Sequence, residues 1–464
     1  MDAETGSSQN KMSSGAVDEI QKRLGDQGVE FLFGSYVDMF GVPKSKCVPL
    51  SFLGDMAAGS ERYTVGALEG MGELGPNEDE CCGIPDLTSV TVLPWDKRFA
   101  IAPADLTFDG APYSHDSRHV LKRQLDQAAA AGFSAQAGIE PEVYVLKEDE
   151  NGQIEPWITD DLLNAPTRGY DIEATLAADQ FLLPMVAYMN ELGWNVYSFD
   201  HEGGDGQYEF AFTHCDALEM ADRMVIFRLM AKHVARELGC FATFMPKPFD
   251  SSFGSGAHVN MSLVNSESGE NIFATDNGDG TVTYLPAAYQ FTAGLLKHAG
   301  AITALACSTV NSYKRLLPVG LMNEISWAPV FQAFGDNNRT LMCRLPTNRP
   351  CVELRTADSA SNCYLVMAMM LAAGLDGIKD QLDPGQPVNT DTYQMTDDEL
   401  AAAGVNRLPR NLGEATDAFE ASELAKEVLG DEFHATFIKK KREEWLSYNT
   451  VVGGWERDMY LRLW

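Results

Sequence analysis

Acidic side chains recur at strand spacing in five short stretches of this sequence. In Gly138-Ile139-Glu140-Pro141-Glu142-Val143-Tyr144 two carboxylates stand two residues apart, which on an extended chain puts both on one face. Glu202 closes Phe199-Asp200-His201-Glu202, and after a Gly-rich turn Gln207 and Glu209 share a face in Gln207-Tyr208-Glu209-Phe210. His258, Asn260 and Ser262 alternate with Ala257, Val259, Met261 and Leu263, and Glu353 and Arg355 alternate with Val352 and Leu354. The apolar alternates predict one packed side, so the polar faces are expected to converge on a lumen. Five carboxylates (Glu140, Glu142, Glu202, Glu209, Glu353) and one imidazole meeting there repel unless cations neutralise them. Oxygen donors with a single His suit Mg²⁺ or Mn²⁺ rather than Zn²⁺, which favours Cys and more His. Two ions with about three protein ligands each would keep positions open for phosphate oxygens and water.

Basic residues gather near the same stretches. Lys314 and Arg315 are followed by Arg339, Arg344, Arg349 and Arg355, in a chain with only 35 Lys and Arg. Guanidinium forks bind carboxylate and phosphate bidentately. Metal carboxylates beside Arg clamps are equipment for phosphoryl transfer, while surface ion pairing is the plainer alternative. Gly70-Met71-Gly72-Glu73-Leu74-Gly75 matches G-x-G-x-x-G, but Pro76 follows and no apolar helix begins there. Without strand–turn–helix context the match is accidental. There is no G-x-x-x-x-G-K-[ST], so a nucleotide would be held another way.

The elements that position these residues fall into two textures. Ala16 to Gly25 is expected to be a helix. Val29–Val37 and Ser45–Val48 are expected strands around a turn at Asp38–Pro43, and Ser51–Met56 a helical turn. Gly66–Asp86 is Gly-rich and acidic and is expected to be a loop. Thr88–Leu93 and Phe99–Asp105 are strand-like again. After Asp109-Gly110-Ala111-Pro112 long helices alternate with short strands, starting with Arg118–Ala131, ended by Gly132. The expected division is a disordered leader over 1–15, a small β-rich domain over 16–110 and a large domain over 111–464.

Composition excludes several function classes. Hydrophobic content of 45% over 464 residues is that of a globular protein. The excess of 67 acidic over 35 basic residues, a net charge of −32, argues against nucleic acid or an anionic membrane as partner. The longest apolar run, Cys363 to Leu375, is too short for a bilayer, and Met1 to Gly15 has no apolar signal core. Nine cysteines without a C-x-x-C are expected to be reduced thiols in a cytoplasmic protein.

Together these segments resemble the glutamine synthetase superfamily over roughly Val29 to Tyr460. The resemblance rests on Gly138–Glu142, His201-Glu202 with Gly206–Glu209, Phe244-Met245-Pro246-Lys247-Pro248, Gly256-Ala257-His258, Asn311–Leu316, Asn337-Asn338-Arg339 and Val352–Arg355, in this order. It implies an α+β fold: an N-terminal β-grasp domain, and a catalytic domain with a partly open antiparallel β-barrel. It also implies a dodecamer of two hexameric rings with active sites shared between subunits. Carried over by residue, it implies that Glu142, Glu202 and Glu209 hold one Mg²⁺ or Mn²⁺, and that Glu140, His258 and Glu353 hold a second against the phosphates of ATP. Arg315 and Arg355 would clamp glutamate, with Gly254 beside its α-amino group. Arg339 and Arg344 would stabilise phosphate, with Asn260 and Ser262 on the nucleotide side. Asp38 of a neighbouring subunit would deprotonate the nitrogen donor.

Three departures from that pattern bear on the substrate. Ammonia-using members place Glu before an Ala-Pro pair, whereas Trp327 precedes Ala328-Pro329 here, with Glu324 three residues earlier. An indole cannot hold ammonium by charge but offers an apolar face and a π cloud to an organic amine. Asn260 stands where many members carry a second His, and Phe253 stands where Asn is common before Gly254. Trp in place of Glu resembles the branch containing γ-glutamylmethylamide synthetases and γ-glutamylanilide synthases. The expected activity is therefore ATP-dependent joining of L-glutamate to an organic amine, the alternative being glutamine synthesis from ammonia.

Overall fold

The computed structural model describes residues 12–159, 169–318 and 327–464. Helix α1 (Ser14–Asp26), capped by the Ser13 side chain, begins inside the stretch expected to be a leader. It packs Val17 and Leu24 against Leu32, Val48, Leu53 and Ala100. These last residues belong to or flank a seven-stranded sheet. In it β1 (Phe31–Val37) pairs antiparallel with β2 (Pro43–Pro49) and parallel with β4 (Phe99–Phe108), which in turn pairs with β3 (Cys81–Pro85). Strand β3 corrects the expected loop over Gly66–Asp86. Its side chains Cys81 and Cys82 are buried, although the acidic residues before them hide a strand from composition. The expected strand Thr88–Leu93 is also corrected. Asp86 accepts from the Thr88 amide and starts a 3-10 turn over Leu87–Ser89, so only Thr91–Val92 pairs with β4.

Helix α2 (Ser117–Ala130), capped by Asp116, leads into β5 (Phe133–Glu148), the axis of an eleven-stranded sheet. The path runs β6 (Val196–His201), β7 (Gln207–Phe212), β5, β8 (Ala257–Asn265), β11 (Val352–Leu354), β10 (Leu341–Arg344), β9 (Phe331–Gly335) and Asn406–Arg407. All neighbours on it are antiparallel except β9 and β10. The fold is α+β with a curled, partly open sheet. Ala257, Val259, Met261 and Leu263 of β8 are buried in one continuous core. The alternating His258, Asn260 and Ser262 are partly exposed on the other face, as their spacing predicts.

That core is backed by α3 (Ala217–Glu237), α4 (Pro286–Lys297) and α5 (Cys363–Lys379). The apolar run from Cys363 is α5, buried nearly all round. No helix of the described residues is long and apolar enough to cross a membrane. Helices α4 and α5 meet through Gly294 and Gly374. A Cβ on Gly374 would overlap the Phe291 ring, and one on Gly294 the Ala373 carbonyl. We expect Gly374→Ala to cost about 1–3 kcal/mol by overpacking, seen as a lower denaturant midpoint than wild type. An unchanged midpoint would show that this crossing has room to relax.

Candidate functional site

Register assembles the acidic residues. Across β5 and β8, Glu140 faces His258; across β5 and β7, Glu142 faces Glu209; across β8 and β11, Asn260 faces Glu353; across β10 and β11, Arg344 faces Glu353. Asp200 on β6 lies opposite Glu209, and Glu202 follows at the strand's end, its amide donating to the Gln207 carbonyl. Six strands, from the one that carries Glu140 to the one that carries Glu353, thus present polar residues to one place.

One half of the site is a compact triad. Donor atoms of Glu140, His258 and Glu353 lie within 4.8 Å of one another. His258 Nδ1 is 3.4 Å from Glu140 Oε2 and 3.9 Å from Glu353 Oε1. Glu353 is fully buried and meets Arg344 and Arg355 at 2.5 Å and Arg349 at 3.0 Å. Burial opposes its ionisation, but Arg355 first, then Arg344 and Arg349, hold it well below the usual carboxylate range. Burial and then Arg355 push His258 down to about 4, so the imidazole is neutral and can act as a ligand.

In the other half the arginines do not outweigh burial and repulsion. Burial, then repulsion from Glu202, pushes Glu142 up to about 8, although the Gly256 amide donates to its Oε2 at 2.9 Å. Gln207 Nε2 donates to the same oxygen at 2.8 Å. Glu209 is raised well above the usual range by burial and by Glu142, Glu140, Glu202 and Asp200, all of them acids. Glu202 is raised by burial, and Asp200 is raised to about 6 by burial and Glu202. Such a cluster is stable in ionised form only around a cation. Carboxylate oxygens with one imidazole are hard donors, which fit Mg²⁺ or Mn²⁺.

Around the acids the arginines are tethered. Arg315 donates to the carbonyls of Thr356 and Arg355 at 2.9 and 3.0 Å, beside Gly254. A Cβ on Gly254 would come within 2.6 Å of the Arg315 side chain, so only glycine admits this approach. Arg355 Nε donates to the Arg339 carbonyl. The Arg339 guanidinium lies 4.9 Å from the centre of the Trp327 ring, which is 52% exposed. Arg339 also acts on Tyr170 through a hydrogen bond and on Glu202 through its charge. The Phe253 ring packs against Gly203, next to Glu202.

The family described as glutamine synthetase, catalytic domain, matches residues 114–460. A glutamate–methylamine ligase of Methyloversatilis universalis is 36% identical over 447 residues, 96% of this chain and 98% of that protein. A glutamine synthetase of Rhizobium leguminosarum bv. phaseoli is 36% identical over 441 residues, 94% of this chain and 97% of that protein. A solved structure described as a GmaS/ADP complex superposes with a TM-score of 0.86 at 36% identity, covering 95% of this chain and 99% of that one. This chain belongs to the glutamine synthetase family.

Glu140, Glu142, Glu202, Glu209, His258 and Glu353 meet in one region, as their spacing predicts, with Arg315, Arg339, Arg344 and Arg355 around them. Asn260 is part of the region too, donating to Glu140 at 3.2 Å. Ser262 lies further along the same face, opposite Gln136. Asp38 sits in the β1–β2 turn, where its carboxylate contacts Lys44 at 2.8 Å and the amides of Phe40 and Val42. Glu324 lies outside the described residues. Sequence reasoning put Arg349 in the arginine cluster and Gln207 on the Glu209 face but gave neither a partner; Arg349 bonds both Glu140 and Glu353, and Gln207 holds Glu142. Gln207's place on the Glu209 face was a positional signal, whereas Arg349 lies in a loop, where clustering with other arginines shows no partner.

The raised carboxylates dictate a pH dependence. A folded-state pKa near 8 for Glu142 means the native protein holds a proton that the unfolded chain releases near pH 4.5. Metal-free stability therefore falls as pH rises from 7 to 8, by about 1 kcal/mol per unit for each retained proton. The neutral His258 adds no slope there, because its contribution is complete above its ordinary value of 6.5. Denaturant titrations at pH 7 and 8 should show the loss without Mn²⁺ and its disappearance with Mn²⁺ in excess. A slope indifferent to Mn²⁺ would contradict a cation among these acids.

Proposed function

We propose that this protein is an ATP-dependent glutamate–amine ligase, joining the γ-carboxylate of L-glutamate to a small alkylamine or an aromatic amine such as aniline. The observation that carries the reading is the indole of Trp327 against Arg339, beside the acid cluster, where ammonia-using relatives carry a carboxylate. The resemblance to a glutamate–methylamine ligase over nearly the whole chain supports the same reading. We take residues 16–110 as the N-terminal domain and 111–464 as the catalytic one. In this reading the working form is a cytoplasmic dodecamer, in which Asp38 serves the neighbouring subunit's site.

Glu142, Glu202 and Glu209 would hold one Mg²⁺ or Mn²⁺, and Glu140, His258 and Glu353 another. When bound, the ions supply neutralising charge at the phosphate oxygens of ATP. Arg315 and Arg355 orient glutamate so that a γ-carboxylate oxygen attacks the γ-phosphorus and ADP leaves. Arg339 and Arg344 spread positive charge over the transferring group. The product, γ-glutamyl phosphate, has a leaving group that the free carboxylate lacks. The amine nitrogen then attacks the acyl carbon, its proton passes to Asp38, and phosphate departs as the amide forms. Trp327 covers the site with apolar surface, which favours a hydrocarbon-bearing amine over ammonium and excludes the water that would hydrolyse the acyl phosphate.

Phosphate release measured with methylamine, ethylamine, aniline and ammonia at equal free-base concentrations should rank an organic amine first. Equal or better turnover with low ammonia would instead favour a glutamine synthetase. Trp327→Glu should move preference toward ammonia by about tenfold, and an unchanged amine ranking would refute the role of the indole. Glu353→Ala should lower turnover with every amine by at least about 10²–10³-fold, measured as ADP formed. Residual activity near wild type would remove Glu353 from the machinery.

A further inference from the structure

Three arginines neutralise Glu353, and they are not equivalent. Arg344 is a strand neighbour of Glu353 in register, and Arg355 is buried and tied to the Arg339 carbonyl. Arg349 alone of the three bonds two members of the triad, Glu140 at 3.1 Å and Glu353 at 3.0 Å. It thereby bridges two of the carboxylates that a cation held by this triad would use. Its side chain is 34% exposed, the most of the three. Its Nε is buried without a partner, so the present position leaves one donor unused.

The backbone beneath it is fixed. Tyr284 Oη lies 2.8–2.9 Å from the carbonyls of Pro346, Arg349 and Cys351. Asn271 Nδ2 donates to the Pro350 carbonyl, and the Cys351 amide to that of Arg349. A long, flexible side chain on an anchored loop can change partners without moving the loop.

We propose that Arg349 is a resident counter-ion of the Glu140–His258–Glu353 site, which yields the carboxylates to a divalent cation and then binds the nucleotide's phosphates. The inference rests on the reading of this triad as a metal site. A divalent cation on these oxygens repels the guanidiniums around them, and Arg349, the most exposed of the three and held by no strand, is the one that can move away. Expelled, the guanidinium stays on its anchored loop beside the site and presents its fork to phosphate oxygens. The exchange would order the reaction: the nucleotide gains its arginine only once the metal is in place.

Mn²⁺ binding, followed by the electron paramagnetic resonance of the free ion, tests this on the full-length enzyme without catalysis. In the absence of nucleotide, Arg349→Met should bind Mn²⁺ about tenfold tighter than wild type, and Arg349→Lys, which keeps the charge, should stay near wild type. Glu353→Gln should bind it more weakly. With Mn²⁺ saturating, calorimetry should show ADP binding about tenfold weaker in Arg349→Met. If Glu353→Gln weakens Mn²⁺ binding but Arg349→Met does not tighten it, the counter-ion role is overturned while the metal site stands. If ADP binds Arg349→Met as it binds wild type, the phosphate role is overturned. If neither wild type nor Arg349→Met binds Mn²⁺ saturably, the metal reading and this inference fall together.

Discussion

Neutralising acidic charge in a buried place is the constraint from which the rest of this protein follows. Glu353 is fully buried and Glu142 nearly so. An uncompensated carboxylate there would be too costly to remain ionised. The protein answers in two ways. Around Glu353 it supplies arginines from β10, from the loop before β11 and from just past β11, and the group stays ionised. Around Glu142 and Glu209 it supplies mainly hydrogen bonds and further acids, and those groups are pushed toward the protonated form. The asymmetry gives the two halves different characters: one is compensated by the protein's own arginines, and the other would be ionised only with a cation among its acids.

The aromatic and cationic surface beside the acids is coupled to the same balance. Arg339 is drawn toward Glu202 by charge, faces the Trp327 ring, and carries the carbonyl that holds Arg355. On the proposed roles, the residue that selects an amine touches the one that steadies a phosphoryl group. On that proposal the choice of nitrogen donor and the activation of glutamate would be linked through one guanidinium. An exposed carboxylate in place of the indole would compete for that guanidinium as well as attract ammonium.

Much of the site was legible because strands have a period of two. Glu140 and Glu142 on one stretch, and His258 with Asn260 on another, showed their common face before any pairing was known, and the buried Ala257, Val259 and Met261 confirm the packed side. The hidden parts were those with no period. Cys81–Pro85 became a strand because β4 offered it an edge, against an acidic, Gly-rich composition. Thr88–Ser89 failed to become one because the Asp86 side chain captured the Thr88 amide. Arg349 gained its place from a loop pinned by Tyr284, more than sixty residues earlier in the chain.

By itself the sequence determined which side chains share a face, which chemistry those donors suit and which family the chain resembles, since these depend on residue type and local spacing. Only the tertiary structure decided register: that Glu140 faces His258, that Glu142 faces Glu209, and that Arg344, Arg349 and Arg355 all reach one carboxylate. Register follows from long-range strand pairing over a common core, and the resulting electrostatics depend on distances and burial that no stretch of sequence contains.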